Sequence, residues 1–378
     1  MNKKVLILHV PLGAGHVMAA KAIGEAFEKK YPEIEVKVVD TLDFAFEIFR
    51  QVLPKTFNLM AAKAPFLYKW IYDYYNDDSR HKFLSKTSNA IIKNSRFAKF
   101  LKEFNPDFII STNPLPMQLV SFTKEQNVID ILSANVCTDF GFHAFWHNND
   151  VNYYFVATEK VKAALKERGV APEKIIVSGI PISARFSETK DRRKILSKIG
   201  FSDKFPIFLI IGGGGKIAYS DVSDIFEKVR KKIVGAQFIV AAGRDKTLEK
   251  KLMNSKLKTD TRVKVFGFTD KIADFMEIAD LILTKAGGLT VAECFSKGLP
   301  LIVNNTIPGQ EDDNVKYLLE NKAGFKAVSI EEVSAIAVKL FSNPSELAEI
   351  KRNSKELSKP RAAKDIADFI VSRIKQKQ

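Results

Sequence analysis

His16 is a candidate for proton exchange or hydroxyl binding, because it directly follows a glycine turn. Residues 11–16 come after an apolar run and lead into a helical pattern. Glycine permits a tight turn, and the free N–H groups at a helix start suit an anion or a sugar hydroxyl. The helix dipole disfavours an imidazolium, so we predict a neutral His16. The alternative is a polar residue that only begins the helix.

A second glycine turn, Gly212-Gly213-Gly214-Gly215, follows the apolar run 207–211. Four glycines give the backbone room to wrap around a phosphate group, and the next helix could aim its dipole at that group. The GxxxxGK[ST] spacing of a P-loop is absent. A flexible connector is the alternative.

Residues 285–314 hold the densest group of candidate ligand-binding residues. A glycine pair follows an apolar run there and precedes a helical pattern. Thr290 and Glu293 have capping-box spacing, which would make both structural. A carboxylate near a helix start can equally accept two ribose hydroxyls. Gln310 and Glu311 lie in a Pro-Gly turn after a strand, at the edge where open α/β sheets bind ligands.

Short Val/Ile/Leu/Phe-rich runs alternate with helical patterns along the chain, and they indicate the strands and helices that position these residues. This alternation predicts an α/β fold with parallel sheets covered by helices. A chain of 378 residues exceeds what one core usually serves, so we predict domains at residues 1–186 and 187–358 and a C-terminal helix at 359–378. The predicted strands are 5–10, 36–40, 107–111, 131–137, 153–157, 175–178, 207–211, 237–241, 263–266, 280–284 and 301–303.

An aromatic and basic insert, residues 44–104, fits neither half. It has no clear strand pattern and holds fourteen aromatic residues, with eleven Lys/Arg against five Asp/Glu. Aromatic groups interleaved with cations suit a helix lying in a lipid headgroup layer. The alternative is a helical insert whose aromatic residues pack on the domain core.

Overall composition limits the partners. The net charge of +15 favours nucleic acid, an anionic lipid surface or a phosphorylated substrate, and no nucleic-acid motif selects the first. Cys137 and Cys294 are far apart and predict two buried thiols in a reducing compartment. No apolar run approaches the ~18 residues of a membrane span, so any membrane contact is predicted to be peripheral.

Several motifs, taken together in chain order, resemble one glycosyltransferase family. It contains plant monogalactosyldiacylglycerol synthase, the bacterial processive diacylglycerol glucosyltransferase and, more distantly, the peptidoglycan N-acetylglucosaminyltransferase. The matching motifs are Gly13-Ala14-Gly15-His16, Thr138-Asp139-Phe140 with the His143, Trp146 and His147 cluster, Ser178-Gly179-Ile180-Pro181-Ile182, Lys285-Ala286-Gly287-Gly288 with Thr290 and Glu293, and Pro308-Gly309-Gln310-Glu311 with Asn314.

The resemblance implies a GT-B architecture, in which two Rossmann-like domains face each other across a cleft. The first would bind the acceptor and the second a UDP-sugar. Asp139 is implied to be the general base, optionally with His16, which matches the glycine-loop histidine of the acceptor side. The implied donor-binding residues are Gly212, Gly213, Gly214, Phe268, Gly287, Gly288, Thr290, Glu293, Gln310, Glu311 and Asn314. Gly15, His143 and Trp146 are predicted on the acceptor side.

The implied reaction is an inverting transfer of glucose or galactose from a UDP-sugar to diacylglycerol. An undecaprenyl-linked sugar is the alternative acceptor, and a catalytically silent membrane-binding module is the alternative from another class. No Asp-x-Asp pair stands at a strand end, so we predict no metal site and no obligatory cofactor. The predicted partners are UDP-hexose, diacylglycerol and anionic membrane lipids, without nucleic acid. The predicted location is cytoplasmic, on the inner face of the cell membrane, and the oligomeric state stays open.

Overall fold

Two parallel six-stranded sheets are the framework of the protein. A computed structural model describes residues 3–45, 50–52, 56, 59–60, 64–76, 94–125, 129–212, 217–304 and 306–376. The strands of the first sheet are β1 Lys4–His9, β2 Glu35–Asp40, β3 Phe108–Ser111, β4 Leu132–Val136, β5 Tyr153–Phe155 and β6 Ile175–Ile176. Those of the second are β7 Ile207–Ile211, β8 Gln237–Ala241, β9 Val263–Phe266, β10 Leu281–Thr284, β11 Leu301–Val303 and β12 Gly324–Lys326.

Helices connect the strands and cover both faces of each sheet. Those within and around the first sheet are α1 Ala14–Lys30, α2 Pro65–Tyr74, α3 Asn94–Phe104, α4 Pro114–Glu125 and α5 Glu159–Glu167. Those that follow are α6 Arg192–Ile199, α7 Tyr219–Lys232, α8 Lys246–Met253, α9 Ile272–Ile278, α10 Gly288–Lys297, α11 Asp312–Glu320, α12 Ile330–Ser342, α13 Pro344–Glu356 and α14 Ala362–Gln376. Within the described part of the chain, no helix combines the length and apolar character that a membrane span requires.

Both sheets have the strand order of Rossmann-like domains, as predicted. The orders are β2-β1-β3-β4-β5-β6 and β12-β11-β10-β7-β8-β9, and every neighbouring pair is parallel. The order reverses between β1 and β3 and between β7 and β10. Ligands of such sheets bind outside the carboxyl ends of the strands at these reversals.

Continuous apolar runs form the strands because both faces of each sheet are covered. In β1, Val5 and Ile7 pack with Phe27 of α1, whereas Leu6 and Leu8 pack in the cluster on the opposite face. Side chains alternate between the two faces of a strand, so a doubly covered strand has no polar position in its centre. The two cysteines are buried and free, as predicted.

Helix α14 follows the second domain in sequence but packs on the first sheet. Ile366, Ile370 and Ile374 are buried against Val5 and Phe27. A hydrogen bond of 2.8 Å from the Tyr31 hydroxyl to Asp368 fastens it to the end of α1. The chain passes from the first sheet to the second between the end of β6 and the start of β7. The exact bounds of the two domains stay a prediction.

Helices α2 and α3 are the elements of the insert that the structure describes, and no strand occurs in its described residues after residue 45. The two faces of α2 differ. Tyr68 is 6% exposed, whereas Phe66 is 84% and Trp70 is 62% exposed. Several predicted aromatic and basic positions lie outside the described residues: Phe46, Phe49, Phe57, Lys55 and Lys63.

Candidate active site

The loop after β4 meets the start of α10, so the two domains touch where the predicted site residues lie. A Cβ atom on Gly288 would lie 2.1 Å from the carbonyl oxygen of Thr138. Only glycine permits this approach of two backbones. Gly288 therefore allows Asp139, the residue after Thr138, to enter the second domain's edge of the cleft.

Asn314 of α11 holds the Asp139 loop from the other side of the cleft. Its Nδ2 donates to Asp139 Oδ1 at 3.1 Å and to the carbonyl oxygen of Ala286 at 2.9 Å. Its Oδ1 accepts from the Phe140 amide at 2.8 Å. The amide of Asn314 is thus engaged by protein groups, and its predicted contact with the donor stays a prediction.

Asp139 has the electrostatics of a general base that works near neutral pH. Burial raises the pKa of its carboxyl to about 6. The hydrogen bond from Asn314 opposes this shift, and the negative charge of Glu311 adds to it. A base is most effective when its pKa lies close to the operating pH.

His16 lies in the first turn of α1, and its Nδ1 is 2.6 Å from the carbonyl oxygen of Thr112. A carbonyl only accepts, so Nδ1 carries the proton and Nε2 is the acceptor. Thr138 Oγ1 lies 3.1 Å from the same Nδ1. Burial lowers the pKa of the imidazole to about 4, so His16 is neutral, as predicted. Its Nε2 has no hydrogen-bond partner within the described ranges.

The Thr112 carbonyl was missed from sequence, although one signal pointed to it. Thr112 follows β3 at the reversal of the first sheet, beside the glycine turn. Its hydroxyl also donates to the His16 carbonyl oxygen at 2.8 Å. The two residues therefore fix each other, and this pairing sets the tautomer of the imidazole.

The capping-box interpretation of Thr290 and Glu293 is wrong. Gly287 is the N-cap of α10 and makes no side-chain cap hydrogen bond, so Thr290 lies inside the first turn. Glu293 lies one turn further, and burial raises the pKa of its carboxyl to about 8, with a smaller opposing effect from Arg185. No hydrogen bond joins this carboxyl to a residue of the described part of the chain. A buried carboxyl of this kind is typical of a ligand site.

The turn of Gln310 and Glu311 lies opposite the Asp139 loop. Glu311 is buried, and its Oε1 accepts from Lys285 Nζ at 2.6 Å while its Oε2 accepts from the Ile307 amide at 2.9 Å. Both carboxylate oxygens of Glu311 are thus engaged in shaping the turn. The predicted contact of Glu311 with the sugar stays a prediction. Lys285, which was part of the matching motif, adds a positive charge to this turn.

Phe268 and Gly212 lie at the carboxyl edge of the second sheet. Phe268 follows β9, is 69% exposed and has the Arg244 guanidinium 5.2 Å from its ring centroid. An exposed aromatic ring beside a cation suits a flat, electron-rich ligand group. Arg244 was missed from sequence, because its approach to Phe268 depends on the pairing of β8 with β9. Gly212 follows β7 and is buried, whereas Gly213 and Gly214 lie outside the described residues.

Two of the predicted acceptor-side residues, Gly15 and Trp146, lie beside His16, and the third, His143, contacts helix α2. Gly15 faces Leu289 of α10, and the buried Trp146 ring is 6.3 Å from the His16 ring. His143 Nε2 donates to the Tyr72 carbonyl oxygen at 2.9 Å, and its Nδ1 accepts from the Phe145 amide at 3.1 Å. His143 therefore fastens helix α2 to the first domain, and acceptor binding by these residues stays a prediction.

A metal site in a protein needs several His, Cys, Asp or Glu side chains close together. No group of three or more His, Cys, Asp or Glu side chains in the described ranges is arranged to hold a metal ion. Cationic groups are supplied by Lys285 and Arg244 at the edge of the second sheet. The expectation that the reaction needs no metal stays a prediction.

Comparison with known proteins matches the two halves of the chain to two family models. Residues 16–182 match the family model of monogalactosyldiacylglycerol (MGDG) synthase, and residues 207–366 match that of the glycosyltransferase family 28 C-terminal domain. Asp139 and His16 lie in the first match, and Glu293, Gln310 and Asn314 lie in the second.

Two bacterial relatives cover almost the whole chain. The sequence is 30% identical over 373 residues to a processive diacylglycerol beta-glucosyltransferase of Bacillus cytotoxicus. The matched region covers 98% of this chain and 94% of that protein. The corresponding protein of Bacillus licheniformis is 28% identical over 98% of this chain and 95% of its own length. The crystal structure of Acinetobacter baumannii MurG is similar in fold, with a TM-score of 0.58 and 14% identity over 98% of this chain and 99% of that one.

Proposed function

The chain belongs to the glycosyltransferase family of the processive diacylglycerol β-glucosyltransferases, and we propose that it transfers a hexose from a UDP-sugar to the hydroxyl group of diacylglycerol. The fold is GT-B, with two Rossmann-like domains facing across a cleft. The observation that carries the proposal is the meeting of Asp139 from the first domain with the α10 start and the Gln310 turn of the second.

The donor would lie along the carboxyl edge of the second sheet. Glu293 would accept hydrogen bonds from the two ribose hydroxyls, and Phe268 would stack on the uracil. The diphosphate would lie at the start of α10, where free N–H groups and the positive end of the helix dipole favour an anion. Lys285 Nζ would lie 3.1 Å from a Cβ atom on Gly287, so a cation is also present at this helix start.

Transfer would be a single displacement with inversion. The acceptor oxygen attacks the anomeric carbon, its proton passes to the Asp139 carboxylate, and the bond between that carbon and the UDP oxygen breaks with its electron pair on UDP. His16 Nε2 would accept a hydrogen bond from the acceptor and orient it. The α10 start would stabilise the charge that develops on the diphosphate.

Incubation of the protein with diacylglycerol liposomes and each UDP-hexose tests this function. We expect a hexosyl-diacylglycerol whose anomeric configuration is inverted relative to the donor. UDP-glucose is the first donor to try, since the relatives are named glucosyltransferases. Transfer from UDP-galactose instead would identify galactose as the transferred hexose. Product only with a polyprenyl-linked sugar would replace the proposed acceptor with the alternative one.

Membrane contact would come from the outer face of α2. Phe66, Leu67 and Trp70 are exposed on this helix, and Trp70 stacks on Tyr74 with ring centroids 5.4 Å apart. An exposed apolar face of this kind marks an interaction surface. With a chain charge of +15, an anionic lipid surface is the proposed partner, on the inner face of the cell membrane.

Trp70→Asp is expected to weaken binding to anionic phospholipid vesicles by roughly tenfold or more, because burial of one aromatic side chain in the interface contributes about 1.5–3 kcal/mol. Vesicle sedimentation measures this change. Val234→Asp is the matched control, because Val234 is likewise an exposed apolar residue, at 84%, but lies in the second domain. Equal vesicle binding by the two variants would contradict a membrane role for α2.

A further inference from the structure

Helix α2 contacts the Gln310 turn of the second domain, although the helix belongs to the insert of the first. The Tyr68 hydroxyl donates to Gln310 Oε1 at 3.0 Å. Lys69 Nζ lies 3.2 Å from Asp312 Oδ2. A Cβ atom on Gly309 would lie 3.0 Å from the Tyr72 ring, so this ring packs closely on the residue before Gln310. Gln310 is thus held between contacts on both sides.

Tyr68 is suited to act as a permanent hydrogen-bond donor. Its side chain is buried on the inner face of α2. Burial, and then the negative charges of Asp139 and Glu311, raises the pKa of its hydroxyl, so the proton is retained at all physiological pH values. Its bond to Gln310 places the Tyr68 hydroxyl at the donor turn.

In the structure the Tyr68 hydroxyl donates to the oxygen of the Gln310 amide. A carboxamide can present either its oxygen or its NH₂ group after rotation by 180°. With Oε1 occupied by Tyr68, Nε2 is the end that can face a ligand, and it donates to none of the residues that the structure describes. A fixed donor in a site discriminates between hydroxyl positions, because a misplaced hydroxyl leaves it unpaired.

We propose that Tyr68 is a positioning residue that completes the subsite for the transferred hexose and determines which hexose is accepted. This inference rests on the proposed function. It means that the subsite contains one group from each domain, and that it is complete only when α2 contacts the Gln310 turn.

Tyr68→Phe is expected to lower kcat/KM for the preferred UDP-hexose roughly tenfold, the effect of about one hydrogen bond. The ratio of kcat/KM between UDP-glucose and UDP-galactose should move towards one. The Kd of UDP, which has no hexose, should stay within about twofold. In a Gln310→Ala background the same substitution should have little further effect, because the two residues act as one unit.

Tyr31→Phe is the matched control, because it also removes a tyrosine hydroxyl that bonds across elements, at 2.8 Å to Asp368 of α14, outside the contact between α2 and the Gln310 turn. This variant should keep the wild-type donor ratio. A Tyr68→Phe variant that loses UDP affinity as strongly as hexose transfer, or that keeps its full effect without Gln310, would overturn the inference. Absence of any hexose transfer by the wild type would contradict the proposed function instead.

Discussion

Asp139→Asn is expected to reduce hexose transfer by roughly 10²- to 10⁴-fold while UDP binding persists, because a general base contributes about that factor. Asparagine keeps the size of the side chain and an oxygen for the bond from Asn314, but it cannot take the proton from the acceptor. The measurements are the turnover rate with diacylglycerol liposomes and a calorimetric titration with UDP. Near-normal turnover would remove Asp139 as the base.

The pH dependence of the wild type provides a second measurement on the same residue. The carboxyl must be ionised to accept a proton, and its pKa is raised to about 6. Turnover should therefore fall as the pH drops below about 6, and this acid limb should be absent from the residual activity of Asp139→Asn. Asp150→Asn, in the same connection between β4 and β5, is the control and should keep both the rate and the limb.

Glu293→Gln is expected to raise the Kd of UDP roughly 10- to 100-fold above about pH 8, where the Glu293 carboxyl is ionised, because hydrogen bonds to a charged group contribute about 1.5–3 kcal/mol. The amide cannot accept two ribose hydroxyl protons with a full negative charge. Calorimetry with UDP measures the change. Glu320→Gln, an exposed position on α11, should bind UDP like the wild type. Unchanged UDP affinity of Glu293→Gln would show that this carboxyl does not hold the ribose.

The same substitution should stabilise the protein without ligand. The pKa of Glu293 is raised from 4.5 to about 8, so the folded state disfavours the ionised carboxyl. The contribution of Glu293 to the stability of the wild type is therefore highest below about pH 4.5 and decreases as the pH rises towards 8, whereas glutamine does not titrate. A higher melting temperature of the variant at pH 8, together with weaker UDP binding, is the expected pair of results.

Much of the fold could be predicted from sequence, because strands covered on both faces have continuous apolar runs. All eleven predicted strands are present with small changes at their ends. The missed strand, Gly324–Lys326, has three residues with one large apolar side chain and carries no pattern. It exists because its backbone pairs with β11 at the sheet edge.

The site could be predicted only in part, because its decisive contacts are distant in sequence. Tyr68 bonds to a residue 242 positions away, and Asn314 bonds to one 175 positions away. Local spacing contains no information about such pairs. The capping-box prediction failed for a related reason: the spacing of Thr290 and Glu293 does not determine at which residue the helix begins.

Helix α14 has a consequence for synthesis of the chain. Its apolar residues cover a face of the first sheet that includes Val5, Ile7 and Phe108. The part of that face that α1 does not cover stays open to water on the ribosome until residues 362–376 have emerged, long after the strands themselves are made. A nascent or truncated chain that stops before this helix therefore presents an apolar surface to chaperones and to other chains.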